Sequence, residues 1–150
     1  MIAPRTRRAG RERAVQFLFG LDFSGYEPDD TLGAFWDMSP SKPAVRRYAE
    51  TLAQGVWRNR DELDHTINGA LEGWLPERVG YIERAVLRVA VFEMRHLPDV
   101  PPGVAINEAI EVAKTFGGED APRFVNGVLD RIRRDLDTDT DQGAQEQTSG

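Results

Sequence analysis

Cysteine is missing from all 150 residues. With it go disulfides, thiolate nucleophiles and cysteine-ligated zinc, and a reducing cytoplasm is the expected compartment. Histidine is scarce: His65 and His96 are the only two. No apolar run reaches the roughly 18 residues that a membrane-spanning helix needs. The sequence also lacks a glycine-rich phosphate loop and a G-x-S-x-G elbow. A signal peptide fails, because Arg11, Glu12, Arg13 and Asp22 leave only the short apolar piece "AVQFLFGL". A mitochondrial presequence shares the arginine-rich start, but this one is poor in serine and runs directly into a core-like helix. What is present, 40% hydrophobic and 29% charged residues, is the composition of a soluble globular chain of one-domain size.

The net charge of −6 conceals two opposite ends. Arg5, Arg7, Arg8, Arg11 and Arg13 against Glu12 make the first thirteen residues about +4. From Asp135 onward the chain carries Asp135, Asp137, Asp139, Asp141 and Glu146 with no base, about −5. An acidic total therefore leaves a polyanion partner open, because local patches decide phosphate binding. The end "TDTDQGAQEQTSG" has no aliphatic residue larger than alanine and is expected to be disordered. Residues 1–136 are thus read as the domain and 137–150 as an acidic tail.

Hydrophobic spacing is helical nearly throughout, with no convincing two-residue alternation. A first helix is expected from about Arg7 to Phe23, then a loop with one short turn around "TLGAFWDM". Pro43 suits the first turn of the next helix, which faces Val45, Tyr48, Ala49, Leu52 and Val56 inward. A short helix carries Leu63, Ile67, Ala70 and Leu71. "YIERAVLRVAVFEMRHL" is apolar around most of its circumference and so belongs at the centre of its domain. Only Arg84, Arg88 and Arg95 form a polar band. "VAINEAIEVAKTF" puts Ile106, Ala109, Ile110, Ala113 and Phe116 inward and stops at Gly117-Gly118. Asp120 is placed to cap the last helix. There Val125, Val128, Leu129, Ile132 and Leu136 share a face, with Phe124 at its margin and Arg123, Asn126, Asp130 and Arg134 opposite. The expected fold is all-α, one domain of six or seven helices.

Few residues suggest catalysis. Glu62–His65 and Glu93–His96 repeat an E-x-x-H spacing found at di-iron sites in helical bundles. However, such ligands belong deep inside long helices, and Pro98 follows His96 after one residue. Glu108 and Glu111 share a helix face, where pairing with Lys114 is the simpler role. Nucleic-acid binding has more support. Terminal arginines can follow a phosphate backbone, and Phe124 beside Arg123 and Asn126 offers an unstacked base a flat surface and a hydrogen-bonding group. A protein-binding helical adaptor, using the Arg84, Arg88 and Arg95 band or an exposed face, has equal support from these residues.

Three stretches go further: "RRAGRERAVQFLF", "IERAVLRVAVFEM" and "VPPGVAINEAIEVAKTFGGEDAPRFVNGVLDRI". Through them the chain resembles the NusB family of bacterial antitermination factors over about residues 5 to 136. Residues 24 to 75 match in helical pattern alone. The resemblance implies two small helical bundles, no catalysed reaction, and no cofactor or metal. It implies binding of the boxA element of nascent ribosomal RNA together with NusE, a ribosomal small-subunit protein. The pair would act on transcribing RNA polymerase with other Nus factors. Carried over residue by residue, the RNA surface would be Arg5, Arg7, Arg8 and Arg11 with Asp120, Arg123, Phe124 and Asn126. The NusE surface would include Phe19, Glu77, Glu83 and Arg88. Thr6, Ala9 and Gly10 interrupt a basic run that is often continuous in the family, and Phe19 stands where tyrosine is common. Arg123 replaces a frequent lysine, keeping the charge and adding a planar face. Some ribosomal RNA cytosine methyltransferases also open with such a domain, but no S-adenosylmethionine-binding domain or cysteine nucleophile follows here. The RNA surface requires the cationic leader and the opening turn of the last helix to lie close together.

Overall fold

The computed structural model describes residues 2–25, 27–71, 73 and 79–148, with backbone alone at 23 and 139–148. Among these residues there are seven helices and no strand. They are α1 (Pro4–Ser24), α2 (Pro28–Met38), α3 (Pro43–Arg58), α4 (Arg60–Gly69), α5 (Tyr81–His96), α6 (Pro102–Phe116) and α7 (Ala121–Thr148). Proline opens α1, α2, α3 and α6. At that position its missing N–H has no intrahelical partner to lose, and its fixed φ is already helical. Pro4 explains why α1 starts three residues before the expected Arg7. The expected turn near Trp36 is a full helix, latched by two indoles. Trp36 Nε1 donates to Glu50 at 2.8 Å and Trp57 Nε1 donates to Glu27 at 2.9 Å.

One bundle comprises α1, α2 and α3, with α1 lying chiefly on α3; the other comprises α4 to α7, with α6 lying chiefly on α7. The α5 helix joins them, touching α1, α3, α4, α6 and α7. Every residue from Ala85 to Glu93 is buried, as its nearly continuous apolar surface required. Its Phe92 ring fills the place a Cβ at Gly55 would need, so α3 and α5 meet at a glycine.

The polar band of α5 is an internal seam. Arg88 donates to both carboxylate oxygens of Asp64 at 2.8 Å and reaches Asp22 of α1 at 3.2 Å. Arg84 lies 3.5 Å from Asp64, and Arg95 pairs with Glu62 at 2.8 Å. The part of this stripe at Arg84 and Arg88 is therefore covered by α4 and the end of α1, while Arg95 stays exposed beside Glu62. The acidic end, expected to be disordered, continues α7 as far as Thr148. No proline follows Pro122 to stop it. Leu136 is the last described side chain of α7 to pack on the core.

Candidate nucleic-acid interface

The cationic leader is the first two turns of α1, and three of its arginines already hold carboxylates. Arg7 donates to Asp99 at 2.6 Å, with its guanidinium 5.5 Å above the Tyr48 ring. Arg8 donates from Nε and Nη2 to both oxygens of Glu108, at 2.7 and 2.9 Å. Arg11 is 3% exposed and donates to both oxygens of Glu93 at 2.9–3.0 Å. The Tyr48 hydroxyl completes this buried group by donating to Glu93. Gly10 makes the approach possible, because a Cβ there would stand 2.9 Å from the Tyr48 ring. The glycine that interrupts the basic run thus serves packing.

Electrostatics follow from these pairs. The hydrogen bond from Arg8 holds the Glu108 carboxyl below its usual range, and Arg7 does the same for Asp99. Burial, reinforced by Glu93, pushes the Tyr48 hydroxyl up. Placing Arg11 on an RNA surface does not fit this geometry. It could reach a phosphate only by leaving Glu93 buried and unpaired, a strongly unfavourable exchange. Arg5 is exposed, and Arg8 is half exposed.

At the other candidate element, the Asp120 carbonyl accepts from the Phe124 N–H at 3.1 Å, which puts Asp120 at the cap position of α7. Asp120, Arg123 and Asn126 are exposed, while Phe124 is half-buried and packed against the core. Sequence reasoning passed over Gly127. It is exposed, with nothing within 4 Å of where its Cβ would stand. At about 100° per residue, Asp120, Phe124 and Gly127 fall within roughly 60° of one another. The bare backbone at Gly127 leaves the space beside Phe124 open. A glycine inside a helix, costing about 1 kcal/mol against alanine, was the available signal.

The helix α6 separates the two regions. It runs antiparallel to α7, since Arg133 Nη1 stands 3.6 Å from the Cβ position of Gly103. Arg8 sits at Glu108, midway along α6, whereas α7 begins just beyond its last residue, Phe116. The eight residue steps from Glu108 to Phe116 make that interval about 12 Å along the axis of α6. Arg7 is farther off, beside Asp99 before the start of α6. The leader and the opening turn of α7 are thus two stations on α6. Lys114 lies between them, paired with Glu111 at 3.1 Å as expected.

The described residues assigned to a protein partner lie on α1 and α5. Phe19 is half-buried on α1. Glu83, in the first turn of α5, folds its carboxylate back over Gly80 and toward Gly117. Arg88 is 9% exposed and sealed by Asp64 and Asp22. Glu77 lies outside the described residues. Of the E-x-x-H pairs, Glu93 is committed to Arg11 and Tyr48, while Glu62 holds Arg95 and His96. No group of three potential metal ligands gathers among the described residues, and no described helix is long and apolar enough to cross a membrane.

Comparison with known proteins agrees with this architecture. Residues 8–134 match the profile of the NusB family. The transcription antitermination protein NusB of Bacillus pumilus is 42% identical over 130 residues, covering 87% of this chain and 96% of that protein. Its counterpart in Geobacter sulfurreducens is 43% identical over 131 residues, with 87% and 95% covered. Among solved structures, antitermination factor NusB from a complex with NusE and double-stranded RNA superposes with a TM-score of 0.79. It is 29% identical, and the match covers 88% of this chain and 98% of that one.

Proposed function

The chain belongs to the NusB family, and on that premise we propose that it is a transcription antitermination factor binding boxA-type RNA together with NusE. It acts in the cytoplasm, on transcribing RNA polymerase, and catalyses no reaction. The observation that carries this reading is the surface along α6. Half-exposed Arg8 stands at one station, and Phe124 stands at the other with open space beside it at Gly127. A half-buried aromatic ring at the margin of the core suits an unstacked base, so a single strand fits better than a duplex. The adaptor reading is weakened because Arg84, Arg88 and Arg95 are bound to α4 carboxylates.

Fluorescence anisotropy tests the proposal with a boxA-containing single strand, its scrambled form and a duplex of the same length, each with and without NusE. The boxA strand should bind most tightly, and more tightly with NusE present. Replacing Phe124 with leucine should keep the fold and weaken binding by about 1–3 kcal/mol, the scale of base–aromatic stacking. Equal affinity for boxA and scrambled strands would overturn the assignment.

A further inference from the structure

The geometry points to Glu108 as a stand-in for phosphate: its carboxylate occupies the Arg8 fork in the free protein and yields it to the RNA backbone on binding. The inference rests on the RNA-binding reading above and adds a residue that reading does not use. Glu108 takes Nε and Nη2 of Arg8, the paired donors that a phosphate takes when it binds arginine side-on. As long as that pair stands, Arg8 presents a neutralised edge to an approaching strand. The same holds at two other arginines of the leader, where Asp99 covers Arg7 and Glu93 covers Arg11.

Of the three pairs, only Arg8–Glu108 is built to exchange. Arg11 and Glu93 are 3% and 1% exposed, and separating them would strand a buried charge. Arg7 is constrained because its guanidinium lies over Tyr48 and its Nε is buried. Arg8 is 48% exposed, so its head group can turn toward solvent. Glu108 is not stranded by the exchange. Arg11 Nη1 waits 3.7 Å away, fixed in place by Glu93, and a small rotation brings the carboxylate onto it. Arg8 then faces the strand while the charge below it stays balanced.

Such an exchange lowers affinity for any polyanion, so a strand must gain elsewhere, at Phe124, to bind well. Glu108 thereby works as a uniform penalty on every strand.

The test is a double-mutant cycle with wild type, Glu108→Gln, Arg8→Ala and the double variant, against boxA-containing and scrambled single strands. Glu108→Gln should tighten both strands by about two- to fivefold, the range of a weak ion pair released. It should give no gain when Arg8 is alanine. Unchanged or weaker binding by Glu108→Gln would make Glu108 a positioning residue for Arg8 and overturn the inference. A gain of equal size without Arg8 would reduce the effect to general charge repulsion and overturn the inference as well. Glu108→Ser repeats the cycle if the glutamine variant misfolds. The Arg8 Nε–H resonance gives an independent readout: it should shift on Glu108→Gln without RNA, and shift again in wild type when the strand is added. Wild type that binds neither strand overturns the functional reading, and this inference with it. Wild type that binds normally while the cycle is additive overturns this inference alone.

Discussion

Arg11 and Glu93 stand 82 residues apart in the chain and share a buried ion pair that Tyr48 completes. Removing one member should be far worse than removing the group. Arg11→Met is expected to cost about 3–5 kcal/mol in urea unfolding, because Glu93 remains charged in the interior. Adding Glu93→Leu and Tyr48→Phe should recover most of that loss. The pH dependence is also determined. Tyr48 holds its proton more tightly when folded than a tyrosine at its ordinary value of 10.0. Its contribution is therefore complete below pH 10 and disappears as the pH rises further, when the unfolded chain releases the proton first. Alkaline thermal melts should show this loss in wild type and not in Tyr48→Phe. Part of this group was legible in the sequence. Glu93 lies outside the Arg84, Arg88 and Arg95 band on a helix otherwise mostly apolar, and a buried carboxylate needs a cation. Which arginine answers it depends on how α1 crosses α5, which periodicity does not encode.

At the scale of elements, α7 shows both the reach and the limit of sequence reading. Its apolar face, its cap at Asp120 and the border position of Phe124 follow from residue spacing. Gly127 escaped because spacing arguments weigh side chains, and this position has none. Gly127→Ala should raise stability by about 0.5–1 kcal/mol, measured by thermal unfolding, since the φ is helical and the space is open. Gly127→Leu should instead fill the open surface beside this turn of α7 and weaken RNA binding in the anisotropy assay. The arginines of α1 were legible as a charge cluster. Their neutralisation by Asp99, Glu93 and Glu108 was not, since those carboxylates come from the end of α5, the turn after it and α6.

For the molecule as a whole, the all-helical class and the central place of α5 were plain from one nearly all-apolar segment among amphipathic ones. The α4–α5 seam was hidden, because the carboxylates that meet Arg84, Arg88 and Arg95 come from two other helices. Since α5 contributes to both bundles, they are expected to unfold as one unit. Urea curves followed by helix ellipticity and by tryptophan fluorescence should coincide. Separate midpoints would show that each bundle stands alone. The positions of Trp36 and Trp57 make that comparison direct. Both indoles lie in the α1–α3 half, so a Trp74→Phe protein would emit from that half alone, while ellipticity integrates all seven helices. The chain thus carries its own spatially resolved optical probe, and stopped-flow mixing could time one half against the whole without attaching a dye.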